Sequence, residues 1–158
     1  MILFTSMKKT GFLQLVSLAA ALFLALPTTA QNENVVTLSG NAYITSGHTA
    51  FIDEEQSAVR NWNDKKTVIS FYFRTEKSGD MNIALQAKGN SKIEVSLLGK
   101  KKKITLESDE LSHIELGTFK VENPGYVKMD IRGLKINQGA DFGSIASVTV
   151  GGFNLCNS

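Results

Sequence analysis

After residue 31, apolar and polar residues alternate one for one in a series of short runs, and no stretch sustains the 3.6-residue apolar period of an amphipathic helix. In an extended strand successive side chains point to opposite faces, so each such run has one dry face and one wet face. Within Thr67 to Arg74, Ile69, Phe71 and Phe73 share one face, and Ser70, Tyr72 and Arg74 the other. Met81, Ile83, Leu85 and Ala87 alternate with Asn82, Ala84, Gln86 and Lys88. Ile93, Val95 and Leu97 do so with Lys92, Glu94 and Ser96, and Val127, Met129 and Ile131 with Tyr126, Lys128 and Asp130. Further strand candidates are Val35 to Leu38, Ala42 to Thr45, Lys103 to Glu107, Ile114 to Leu116, Thr118 to Glu122 and Ser144 to Val150.

Many short strands with one apolar face each must close two sheets over a shared core. This predicts an all-β fold, a two-sheet antiparallel β-sandwich or jelly roll. Turn signals separate the strands at Lys77-Ser78-Gly79-Asp80, Lys88-Gly89-Asn90-Ser91, Leu98-Gly99-Lys100 and Asn123-Pro124-Gly125. Short helical turns have room only near Asp53 to Val59 and Ser108 to Leu111.

The amino terminus has the three parts of a secretory signal peptide: Lys8-Lys9, an apolar run from Gly11 to Leu26, and the small residues Thr28-Thr29-Ala30. The apolar run is shorter than the roughly 20 residues of a spanning helix. The expected organisation is a signal peptide over 1–30, a binding domain over 31–152 and a tail over 153–158, with a secreted or periplasmic product and no stable membrane insertion after cleavage. Met7, directly before Lys8-Lys9, is a more conventional start than Met1.

Loss of residues 1–30 removes two of the 17 basic residues and none of the 15 acidic ones, leaving 15 of each sign. A formally neutral domain has no long-range attraction for phosphate backbones, which argues against nucleic acid as partner. Cys156 is the only cysteine, so packing rather than an internal disulfide must hold the fold.

Asn61-Trp62 lies ahead of the strand Val68 to Phe73; Ser78-Gly79-Asp80, the hairpin Ser91 to Leu106, Asn123-Pro124-Gly125-Tyr126-Val127 and the strand Ser144 to Val150 follow. This order, from about Asn41 to Gly152, resembles carbohydrate-binding modules with the galactose-binding-like jelly roll. The chain looks more closely like a secreted bacterial domain of unknown function that usually precedes a second, larger domain of unknown function. The residues carrying that resemblance are Asn41-Ala42-Tyr43-Ile44-Thr45, Tyr72-Phe73-Arg74 and Pro124-Gly125-Tyr126-Val127-Lys128. It implies a non-catalytic module whose partners are a glycan and a separate catalytic or partner domain, although the sequence ends at Ser158 where such proteins continue.

Trp62, the only tryptophan, sits among Arg60, Asn61, Asn63 and Asp64. An indole beside amides and a carboxylate suits a sugar, whose C–H face stacks on the ring while its hydroxyls find polar partners. The same residue equally serves as a core plug at the end of a sandwich. By position in the resemblance, the loop Asn137 to Gly143 lies at the ligand rim, which makes Asn137, Asp141 and Phe142 candidates beside Trp62, Asn63, Asp64 and Tyr43; Phe142 can also fold back as core. A second candidate surface is the wet face bearing Tyr72, Arg74, Asn82, Gln86, Tyr126, Lys128 and Asp130. Modules of this kind often hold a structural calcium ion, for which the resemblance nominates Asp53, Glu54 and Asp141; a run such as Asp53-Glu54-Glu55 is otherwise a solvated loop. Lys100 to Lys103 reads as a solubilising hairpin tip.

Nothing in the sequence has the spacing of a catalytic motif: His48 and His113 are far apart, and there is no nucleophile elbow, metal-binding His pair or Cys-x-x-Cys. Binding is therefore the expected function. An envelope protein-interaction or structural domain on the same fold is the alternative to a sugar binder.

Overall fold

A computed structural model describes residues 33–152 and Leu155; residues 1–30, expected from sequence to be a signal peptide, and Cys156 lie outside the described residues. Nine strands follow one another: β1 (Glu33–Thr37), β2 (Ala42–Ser46), β3 (Phe51–Asp53), β4 (Ala58–Arg60), β5 (Val68–Thr75), β6 (Gly79–Leu97), β7 (Lys100–Val121), β8 (Gly125–Ile136) and β9 (Ser144–Gly151). No helix occurs among the described residues. Within Asp53 to Val59 only Glu54 to Ser57 form a turn, between the short partners β3 and β4, and Ser108 to Leu111 continues β7.

The alternating faces behave as expected. Ile69, Phe71, Phe73, Ile83, Leu85, Val95, Leu97, Val127, Met129 and Ile131 are all buried in one cluster. What joins the layers differs from the expectation. Met81–Ala87 and Ile93–Leu97 are not two strands separated by a turn but two halves of β6, paired along its length with β7. Asn82 to Lys88 pairs on its other side with β9, and Ser91 to Leu97 with β8. Beyond them the hydrogen-bonded path runs to β1 through β9, and to β5 and β2 through β8.

One layer is therefore β1, β9, the first half of β6 and the second half of β7. The other is β2, β5, β8 and the remaining halves of β6 and β7. The corner falls at Lys88 to Asn90, where the pairing shifts by a bulge between Ala87 and Gly89, a device that bends and twists a strand. The Gly-Asn pair that reads as a turn serves as this bend. How sharply β7 folds is shown by Lys102, whose Nζ donates to the Leu116 carbonyl at 2.7 Å. The intervening residues would span about 46 Å if the strand ran straight.

The turn itself is Leu98-Gly99, both at positive φ (48° and 73°), the two-residue geometry that matches strand twist. Leu97 pairs with Lys100 across it, so the four lysines open β7 rather than forming a tip, and all four are exposed.

Candidate functional site

Two aromatic regions compete for the role of binding site. The first is the end of the sandwich around Trp62. Its backbone carbonyl accepts a hydrogen bond from Phe142 N at 2.8 Å, and the two rings meet at 5.3 Å between centroids. The structure thus brings together the two loops nominated from sequence. It turns their aromatic rings inward, however: Trp62 is 0% exposed and Phe142 1%. An open indole platform for a sugar is absent in this conformation, because Trp62 and Phe142 close the core at this end.

The packing here leaves no slack. A Cβ on Gly133 would lie 2.4 Å from the Phe142 ring, and one on Gly143 would lie 2.0 Å from the Lys88 carbonyl oxygen. The Phe142-Gly143 segment therefore crosses the β6 corner at a distance only glycine permits. Buried Ser91 donates to the Phe142 carbonyl at 2.6 Å and fixes the crossing. The indole Nε1 finds no hydrogen-bond partner among the described residues.

The polar candidates at this end are largely occupied by their own turns. Asp64 Oδ1 accepts from Lys66 N at 2.9 Å, and Asp141 Oδ1 accepts from Gly143 N at 3.0 Å. Asn137 donates its backbone N–H to the Asn90 carbonyl at 2.9 Å, and the side chains of Asn63 and Asn137 are exposed. The calcium set does not assemble as expected. Asp53 accepts from Gln56 N and pairs with Arg60 at 3.5 Å, Glu54 is exposed, and among the described residues no three His, Cys, Asp or Glu side chains gather where a metal would be held.

The second region is the outer face of the layer β2–β5–β8. Tyr43 stands opposite Ser70, which stands opposite Asp130; Tyr72 faces Lys128, and Arg74 faces Tyr126. All three tyrosines of the chain are consequently on one surface. Tyr43 is 53% and Tyr126 80% exposed, large for aromatic rings. Tyr43 and Tyr72 meet edge to face at 5.9 Å, the Arg74 guanidinium lies 6.0 Å from the Tyr126 ring centre, and Lys128 Nζ lies 6.0 Å from that of Tyr72.

A polar chain stiffens the floor between them. Thr45 Oγ1 and Ser70 Oγ are 2.7 Å apart, Ser70 Oγ donates to Asp130 Oδ1 at 2.5 Å, and Lys128 Nζ pairs with the same oxygen at 3.0 Å. The hydrogen bond to Asp130 holds the Lys128 ammonium above its ordinary pKa of 10.5, so it stays charged at neutral pH. A groove of about 1040 Å³ runs between this face and β1, lined by Tyr43, Tyr72, Arg74 and Tyr126 among others.

Sequence reasoning found most of these residues as a wet face but grouped them with Asn82 and Gln86. Those two pair toward β9 and β7 in the other layer, where Asn82 lines a smaller recess of about 230 Å³ with His113 and Glu115. Among the described residues no helix is long and apolar enough to cross a membrane.

Solved structures share this architecture. A carbohydrate-binding module of family 35 from Cellvibrio japonicus Abf62 superposes with a TM-score of 0.57 at 11% identity, covering 78% of this chain and 96% of that one. A Podospora anserina GH26-CBM35 β-(1,4)-mannanase gives 0.56 at 11% identity, over 80% of this chain and 28% of that one. The insecticidal crystal protein Cry2Aa gives 0.60 at 15% identity, over 75% and 21%. The chain thus spans about a quarter of the length of the mannanase and of the crystal protein. At these identities the likeness is one of fold, and the fold is the all-β sandwich of carbohydrate-binding modules. No curated protein matches the chain in sequence. Residues 36–154 match a family described as domain of unknown function DUF5077, and to that family the chain belongs.

Proposed function

We propose that the protein is an exported, non-catalytic carbohydrate-binding module whose site is the tyrosine face of β2, β5 and β8. The observation that carries this reading is the convergence of Tyr43, Tyr72 and Tyr126 on one outer surface beside a groove of about 1040 Å³. Two exposed rings, Tyr43 and Tyr126, with the half-buried Tyr72 between them give this sheet surface a large apolar area of the kind that marks a binding face. Tyrosine suits a sugar: the ring takes the C–H face of a pyranose, and the phenol and adjacent Arg74, Lys128 and Asp130 meet its hydroxyls.

The sandwich shared with carbohydrate-binding modules supports the class of ligand, and the signal-like residues 1–30 support export. The Trp62 end offers the exposed amides of Asn63 and Asn137 but no open ring, and is the weaker place for a sugar. A second, larger domain acting beside this one fits a module of this size.

The test is titration of the purified protein with a panel of plant, host and bacterial polysaccharides, followed by NMR of the aromatic side chains. Tyrosine signals shift and Trp62 signals stay fixed if the reading holds. Binding that perturbs Trp62 alone returns the site to the rim. A panel with no binder, together with capture of a protein partner on the same face, replaces the module with an interaction domain of the envelope.

A further inference from the structure

The two outer faces of the sandwich are charged differently, although residues 31–158 carry equal numbers of acidic and basic residues. Cross-strand partners in a sheet project from the same side, so the register assigns each charge to a face. On the tyrosine side, Arg74, Lys128, Arg132 and Lys135 come from β5 and β8. Lys92 pairs with Lys135, and Lys101 and Lys103 pair with Ser96 and Glu94 on the same strip. Within these rows the carboxylates are Asp130, Glu94 and, opposite Asn90, Glu107. Asp130 pairs with Lys128 at 3.0 Å and Glu94 with Lys101 at 3.5 Å, and Glu94 also stands cross-strand from Arg132 and Lys103, so seven cations share three carboxylates on this face. The opposite face carries Lys88 and Lys120 against Glu33, Asp80 and Glu115.

We infer that the tyrosine face takes an acidic polysaccharide, a polymer of carboxylated sugars laid across β5, β8, β6 and β7. This rests on the carbohydrate-binding reading above and adds the charge of the ligand and the length of the site. Seven cations against three carboxylates on one face of a neutral domain are a surface in search of anions. Their spacing calls for a chain rather than a single sugar. Arg132 and Lys103 are two strands apart, about 10 Å, and Arg74 is one strand and six residues from Arg132, about 20 Å. The rings at one end of this strip hold sugar faces while the cations along it hold carboxylates. Lys101 and Lys103, on the outward rows of β7, thus become the far end of the site, rather than a solubilising turn.

The experiment compares polygalacturonate with a neutral mannan and a neutral galactan on the purified chain, at low and high salt. Polygalacturonate should bind at least about tenfold tighter than either neutral polymer in about 0.05 M salt, and lose most of that advantage near 0.5 M, where the screening length falls to a few ångströms. A triple variant, Arg74→Gln with Arg132→Gln and Lys103→Gln, should erase the preference at unchanged melting midpoint, since each exposed contact contributes a few-fold. Should the triple variant melt early, Arg132→Gln and Lys103→Gln are measured singly and each should lower the preference. Equal, salt-independent binding of the neutral polymers overturns the acidic assignment and leaves the module reading standing. Failure of all three polymers overturns both. Duplex DNA binding as tightly as polygalacturonate overturns the inference by reducing the strip to an unselective patch of charge.

Discussion

The chain's tryptophan and its tyrosines meet fates opposite to what their neighbours in sequence suggest. Trp62 lies in a run of Arg, Asn and Asp and ends up fully buried; Tyr72 and Tyr126 lie beside Phe73 and Val127 and end up on the surface. On a strand the period of two decides which side a ring takes, and the apolar neighbours of Tyr72 and Tyr126 claim the inside. In a loop no such rule operates, so the polar neighbours of Trp62 point outward while its indole turns to Phe142. Polar context therefore says little about an aromatic ring unless the backbone geometry is known.

Mutations at the two regions should separate them cleanly. Trp62→Ala empties a fully packed position and should destabilise the protein by about 3–5 kcal/mol in chemical denaturation. A loss under about 1 kcal/mol would mean the indole is not core. Trp62→Phe should cost clearly less, because it keeps a ring against Phe142 and removes a buried N–H that has no partner. Gly133→Ala drives a methyl into the Phe142 ring and should cost about 1–3 kcal/mol. An unchanged midpoint there would show that the plug has room to move.

On the other surface the signs reverse. Tyr72→Ala should change stability by less than about 1 kcal/mol yet weaken glycan binding about tenfold. If stability falls and binding does not, the tyrosine face is a structural surface and the comparison collapses. The smallest effects belong to the acidic loop: Asp53→Asn breaks a half-exposed pair with Arg60 and should shift stability within about 0.5 kcal/mol. Chelation of calcium should leave the melting midpoint where it was, and a clear drop would restore calcium to the fold.

The fold was readable in the sequence wherever burial is one-sided. Ile69, Phe71 and Phe73, or Val127, Met129 and Ile131, announce both a strand and its inner face. The corner was not readable, because Gly89-Asn90 carries the same signal whether the chain turns back or bends within a strand. Whether Lys88 to Ser91 is one or the other depends on β8 and β9 each claiming half of β6, a long-range fact. The candidate site had the same difficulty. Its residues were visible as a wet face, but the strand order that sets β5 beside β8 and sends Asn82 and Gln86 to the other layer lies outside any local pattern.

The doubled hairpin also bears on how the chain assembles. β6 and β7 pair outward from Leu97 and Lys100 to Gly79 and Val121, and each new pair closes a loop only slightly longer than the last. Such zippering proceeds with little loop entropy at each step, whereas β1 must find β9 from more than a hundred residues away. One local nucleus can thus lay down an edge of both layers before either is complete. Its two-residue turn then sets the alignment for the whole molecule: a slip at Leu98-Gly99 would misplace the partners of β8 and β9 together.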